Sequence, residues 1–334
     1  MIDLKRVRLL DVAITMALVL VVGLGGYLGY TIWRSNVQVR EATPVARGID
    51  DLIAEVRKNP DDLSLRMRLA QALMLAGRRN EAVEQYESIL KAQKDYAPAI
   101  AGLGTLALRE KEWKTAEGYF RRASELFGAN EGVAATQALE QSYFYLGTAL
   151  MEQKEYEEAA SYFKEALRLK RDSSTTHYLL AVCLREMGLD EAYRESLGNT
   201  LMFDPRHPEA NYDLGQLLLA DDDLASAAEH FRTSADSAPG VELPVEALNQ
   251  LGTAEERTAA AVGLRTTDPG QALIEARVAV AIDPRSVKAQ VVLGEIYEEA
   301  GNESKAREAF KKALAIDAND DAAKAGLERV GDGS

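Results

Sequence analysis

The feature that most constrains this chain is a period. From Ala82 to Ala116 is 34 residues, and from Ala272 to Ala306 is 34 again. A bulky ring stands four positions after the alanine at Tyr86, Phe120, Phe163, Phe231 and Phe310. A glycine stands 12 positions before it at Gly104, Gly147, Gly215 and Gly294, and Ala181 occupies the matching place between them. A sequence with that self-similarity does not build one closed core. Each copy is too short to bury its own apolar face and must stack on the next.

The alanine also counts the copies. Ala116 to Ala159 is one period with nine residues added, and Ala159 to Ala227 is two periods, with Ala192 marking a divergent copy between them. Ala227 to Ala272 is one period with 11 residues added. Seven copies result, beginning near Leu63, Ala97, Glu140, Ser174, Pro208, Thr253 and Val287. The fourth lacks the bulky ring, having Ser196 near that place, and the sixth is rich in alanine. The added stretches include EGVAATQAL and ELPVEALNQLG and are expected to lengthen first helices rather than form loops. Pro205, Pro239 and Pro284 end second helices, because proline cannot continue one.

The segments LGTALMEQKEYEEAASYFKEAL, from Leu146, and LGEIYEEAGNESKAREAFKKAL, from Leu293, carry the full pattern. It resembles the tetratricopeptide repeat (TPR), a helix–turn–helix unit of 34 residues, over about residues 63–320. The resemblance implies an all-α, right-handed superhelical solenoid of about seven repeats, with first helices lining a concave groove that takes protein or peptide partners. A capping helix over 48–62 is expected before the solenoid, and a second with a short tail over 321–334 after it, with Asn319 or Asp320 as N-cap. Such caps cover the apolar faces of terminal repeats.

The amino-terminal part is of another kind. Val12 to Trp33 is a run of 22 residues without a charge, long enough as a helix to cross roughly 30 Å of hydrocarbon. It exceeds the apolar core of a secretory signal and ends in Tyr27, Tyr30 and Trp33 followed by Arg34, which suits headgroup depth. Residues 12–33 are therefore expected to be an uncleaved transmembrane helix, joined to the repeats by a tether over 34–47. Gly25 and Gly29 form a GxxxG pair that would let a second helix approach, although glycine is common in membrane helices generally. Lys5, Arg6 and Arg8 lie before the span and Arg34, Arg40 and Arg47 after it. The slight bias places residues 1–11 in the cytoplasm and the repeats outside, as for a single-pass protein of the bacterial cell membrane. The alternative is a cytoplasmic repeat domain, as in anchored import receptors.

Charge and motif content narrow the function. The net charge is −14, and the first 47 residues hold six basic and three acidic residues, so the remainder is at −17. Such a body is repelled by phosphate backbones, which argues against nucleic acid as a partner. The single cysteine, Cys183, forms no internal disulfide and falls among Leu180, Val182 and Leu184 as a small core residue. His177 is expected to be partly buried, His207 to lie in a turn and His230 to face solvent. Asp221, Asp222 and Asp223 form a solvated turn without calcium-loop spacing. The GLGGYLG stretch lies inside the expected span and is no nucleotide loop. No catalytic motif, cofactor or metal site is implied.

What remains is a surface. Phe144, Tyr178 and Tyr212 recur at the fifth position of repeats three to five. Gln71, Thr105, Thr148, Val182 and Gln216 stand at the ninth, with Arg185 three beyond Val182. Aromatic anchors beside amide and hydroxyl groups suit an extended peptide or an inserted helix. Equally, the rings could serve only to pack neighbouring first helices together. The basic and asparagine clamp by which some TPR proteins hold chaperone tails is missing, its places being Met67, Gln71, Ala101 and Gly102.

Overall fold

The computed structural model describes residues 44–130 and 132–331. The expected span 12–33, with Gly25 and Gly29, and the tail 1–11 lie outside the described residues. Among the described residues no helix is long and apolar enough to cross a membrane. Every regular element there is an α-helix. The chain divides into two compact units, 1–135 and 136–334.

The first unit contains α1 (Pro44–Lys58), α2 (Leu63–Leu75), α3 (Arg79–Ala92), α4 (Ala97–Arg109) and α5 (Trp113–Gly128). The helix before repeat one thus begins at Pro44, inside the stretch expected to be tether. Its Ile49 and Val56 join Leu65, Leu69, Leu73 and Ile89 in one core with the first repeat. Tyr86 reaches from α3 to α4, where a Cβ on Gly102 would stand 2.4 Å from its ring. Only glycine leaves room for that ring.

The helix α6 (Val133–Glu152) crosses the division and opens repeat three. Beyond it the second unit runs α7 (Tyr156–Leu169), α8 (Ser174–Glu186), α9 (Asp190–Phe203), α10 (Pro208–Ala220), α11 (Leu224–Ser237), α12 (Glu242–Gln250), α13 (Ala254–Leu264), α14 (Pro269–Ile282), α15 (Val287–Glu299), α16 (Glu303–Ile316) and α17 (Asp321–Val330). Phe163, Phe231 and Phe310 are fully buried. Each seats against the glycine of its own first helix, where an added Cβ would come within 2.9, 2.6 and 2.6 Å at Gly147, Gly215 and Gly294. The expected closing helix is α17, and its N-cap is Asp320, whose carboxylate accepts from the Ala323 amide at 2.7 Å.

The turn between the two helices of a repeat takes one conformation six times. Gly77, Lys111, Lys154, Gly188, Asp222 and Gly301 all have φ between 59° and 73°. They occupy the same position of repeats one to five and seven. Thr267 holds that place in repeat six, and its turn is closed instead by Asp268, whose carboxylate accepts from the Gln271 amide at 3.0 Å.

Two sequence expectations are corrected. In repeat four the residue one period from both Ala159 and Ala227 is Tyr193, not Ala192, and Tyr193 is buried. The ring position is filled by Leu197, also fully buried, rather than by Ser196. A large residue has moved into the alanine place and a smaller one into the ring place, which keeps the core filled. The second correction concerns the added stretches. EGVAATQAL does lengthen a first helix, giving α6 its 20 residues. ELPVEALNQLG does not: it forms the separate helix α12. Gly252, at φ 106°, breaks the chain direction. Thr253 and Glu256 then start α13 with a reciprocal capping box. Ala247 and Leu248 of α12 pack in one core with Phe231 of α11 and Val278 of α14.

Candidate functional site

The aromatic residues expected on the first helices are all half-buried. Each leans on its surroundings. The Phe144 ring lies 6.2 Å from that of Phe163, and the Tyr212 ring 5.8 Å from that of Phe231. The Tyr178 ring tilts against His207 at 4.8 Å. These contacts orient the rings without closing them off.

Polar neighbours differ in what they leave free. The hydroxyls of Thr105 and Thr148 donate to the carbonyls of Ala101 and Phe144, four residues back in their own helices. The Gln216 amide donates to the Tyr212 hydroxyl at 3.0 Å. Gln71 is exposed. Gln71 and Thr105 belong to the first compact unit, and the other candidates to the second.

The structure brings Tyr178 and Arg185 together around a residue that sequence reasoning passed over. Tyr178 donates its hydroxyl to Asp213 Oδ2 at 3.2 Å, and Arg185 Nη1 approaches the same oxygen at 3.5 Å. The Tyr193 hydroxyl also acts on Asp213, favouring its charged form. The Arg185 guanidinium lies 5.9 Å from the centre of the Tyr193 ring. Asp213 keeps only 12% of its side chain exposed. Burial pushes its carboxyl above the usual carboxylate range, against the pull of the Tyr193 hydroxyl and the Arg185 charge. The signal for Tyr193 was present in the register, since it stands in the alanine place. Asp213 carries no periodic signal, because it is one position from the ladder.

The histidines and aspartates settle into structural parts. His177 bonds the Arg171 carbonyl and stacks on Phe203 at 5.6 Å. His207 caps α10, accepting from the Ala210 amide. His230 does not face solvent as expected. It is half-buried, its Nδ1 lies 2.8 Å from Asn211 Oδ1, and burial lowers its pKa. Asp223 caps α11 and Asp221 pairs with Arg194 at 2.7 Å.

Sequence reasoning also missed a cleft of about 550 Å³ on the second-helix side of repeats five to seven. Val280, Leu293, Tyr297, Ala309 and Ile316 give it an apolar lining. Arg232 borders it and donates to the carbonyls of Ala281 and Ile282, closing the end of α14. No repeat signal marks the cleft, because it is lined jointly by α11, α14, α15 and α16.

Buried phenols and the thiol predict an alkaline response. Burial pushes Tyr86, Tyr193 and Cys183 each up to about 12. The folded state then holds protons that the unfolded chain releases from about pH 10 for tyrosine. Stability should therefore fall as pH rises from about 10 to 12, measured by urea midpoints at pH 9 and 11. The Tyr86 hydroxyl has no hydrogen-bond partner among the described residues. Tyr86→Phe should accordingly add about 1 kcal/mol at pH 7 and flatten the alkaline fall. A loss of stability at pH 7 would refute this account.

Four family models described as tetratricopeptide repeat match residues 44–101, 140–173, 189–242 and 287–320, together more than half of the chain. Among curated proteins none matches. Among solved structures the chain is similar to YrrB, described as a TPR protein with an unusual peptide-binding site. The two share 20% identity over 59% of this chain and 96% of that one, with a TM-score of 0.49. It is also similar to MamA of Desulfovibrio magneticus RS-1, at 18% identity over 53% and 95% of the two chains and a TM-score of 0.46. PilF of Pseudomonas aeruginosa gives 14% identity over 84% and 99%, with a TM-score of 0.46. The matched repeats and the glycine–ring pairs that join their helices place this chain in the tetratricopeptide repeat family.

Proposed function

We propose that this chain is a membrane-anchored adaptor. It binds a protein or peptide on the face made by the first helices of repeats three to five and supports assembly of a membrane-associated complex. TPR proteins generally mediate protein and peptide binding and complex assembly. The observation that carries the reading is the aromatic series Phe144, Tyr178 and Tyr212, half-exposed on equivalent faces and held in place by Phe163, Asp213 and Gln216.

The test is alanine substitution of each ring in the full chain, followed by capture of partners from detergent extract and by thermal melting. Each change should weaken capture roughly 30-fold, as loss of about 2 kcal/mol of anchor contact would. Melting should shift far less than for Phe163→Ala. If the ring variants melt as Phe163→Ala does, the series is packing and the reading fails.

The anchor rests on the uncharged run 12–33 and its aromatic end. The protein should begin at or near Met1 and resist carbonate extraction, and protease added to spheroplasts should digest the repeats. A mature terminus beyond Trp33 would remove the anchor, and protection of the repeats would reverse the orientation.

A second reading is favoured by the cleft between α11, α14, α15 and α16. In it the chain is a constitutive structural subunit of a larger membrane complex, held through its convex, second-helix face or through its transmembrane helix. Ring variants that keep both stability and capture, together with fixed partner stoichiometry, would select it.

A further inference from the structure

The charge on the proposed face is lopsided. The helices α6, α8 and α10 carry five carboxylates, Glu140, Glu152, Glu186, Glu209 and Asp213. Against them stands a single basic residue, Arg185, with no lysine. Repeat seven shows the contrast. There Glu295 and Glu299 are both paired with Arg265, and Glu298 with Arg329. On the first helices of repeats three to five the one arginine is Arg185, shared between Asp213 and Glu186, while Lys170, from the turn after α7, acts on Glu140. Among the described residues Glu209 pairs with the His207 imidazole, at 3.3 Å.

Arg185 also shows what the site can hold. Its guanidinium sits over the Tyr193 ring with one nitrogen toward the Asp213 carboxylate. Ring faces attract cations, and a partly buried carboxylate strengthens that attraction. At 3.5 Å the contact with Asp213 is long for a charge-assisted bond, so it can be exchanged. A body at −17 would also speed the approach of a positive partner.

Resting on the proposed binding face, we propose that its occupant is a cationic peptide segment. A lysine or arginine side chain of that segment enters beside Tyr178 and Tyr212 toward Asp213 and displaces Arg185, while Glu209 and Glu140 meet flanking positive charges.

The experiment measures anisotropy of a dye-labelled short peptide of alternating lysine and serine, added to the full chain in mild detergent. A glutamate–serine peptide is the control. The lysine peptide should bind, more weakly as salt rises, and the glutamate peptide should not. Asp213→Asn should weaken binding about tenfold and Glu209→Gln about threefold. Arg185→Gln, which frees Asp213, should tighten it about threefold. Glu209 is exposed, so Glu209→Gln should melt as the parent does and keeps the test open if Asp213→Asn or Arg185→Gln does not fold.

Binding of the glutamate peptide, no binding of the lysine peptide at low salt, or lysine-peptide affinity unmoved by these three changes would each overturn the proposal. Tyr212→Ala separates this failure from that of the face itself. If peptide affinity depends on Tyr212 but not on Asp213, Glu209 or Arg185, the face stands and its cation preference falls. If affinity depends on none of them, the peptide sits elsewhere and both fall.

Discussion

Phe310→Ala should lower stability by about 3–5 kcal/mol, the range for removing a large ring from a packed core. Phe310 is fully buried and is held from two sides. A Cβ at Gly294 on α15 would come within 2.6 Å of the ring, and one at Gly326 on α17 within 2.5 Å. Neither glycine has a side chain that could move into the space left behind, so the cavity would stay. The ring also supports Leu327 and Val330 of α17. In a stacked array each repeat contacts only its neighbours, so the damage should be local. Hydrogen exchange should show α17 and α16 losing protection while α8 and α10 keep theirs. The reverse substitution makes the same point. Gly326→Ala should gain about 1 kcal/mol by helix propensity, but its methyl meets the Phe310 ring and the net effect should be destabilising. A stable Gly326→Ala protein, or a Phe310→Ala loss below about 1 kcal/mol, would show that this seam is not close-packed.

Arg257→Met should cost about 2–3 kcal/mol, because it strands a nearly buried acid. Arg257 joins three parts of the irregular sixth repeat. Its Nε donates to the Leu251 carbonyl at 2.7 Å, where α12 ends, and its Nη1 to Glu275 on α14 at 2.8 Å. Only 10% of the Glu275 side chain is exposed, and its other oxygen accepts from Gln271 at 3.1 Å. Removing the arginine leaves a carboxylate with one neutral donor and a carbonyl with none of its former partner. The double variant Arg257→Met, Glu275→Met should recover most of the loss, since apolar residues of similar size can replace a buried pair at little cost. Urea unfolding of the two single variants and the double closes the cycle. A double variant as unstable as Arg257→Met would mean that the link to Leu251, not the ion pair, holds the junction.

Much of the fold was legible before any coordinates. The register of the alanine located helix starts at Leu63, Ala97, Ser174, Pro208 and Val287, where helices do start. It was legible because each repeat makes its main contacts within itself and with the next repeat, so the same residue types recur at the same spacing. The errors fall where the pattern breaks. In repeat four, whose start at Ser174 was right, the alanine marker was assigned one residue early because Ala192 happens to lie beside Tyr193. The proposed face was legible only as a ladder of rings. Thr105 and Thr148 looked available for a partner, yet their hydroxyls are taken by their own helices.

The sequence by itself determined the all-helical repeat class, the small residues of the first helices that face a ring and the cap of the closing helix, because all of these are set by contacts between residues less than two periods apart. Tertiary structure alone decided the rest. Whether ELPVEALNQLG extends a helix or starts a new one depends on Gly252 turning the backbone and on Ala247 and Leu248 finding the Phe231 core. The carboxylate of Asp213 gains its tyrosine and arginine partners only when α8, α9 and α10 pack together. The cleft beside Tyr297 exists only because α11, α14, α15 and α16 converge there. Pairings of this kind join residues that no local spacing relates, and their energies are settled by burial and geometry rather than by the order of residues along the chain.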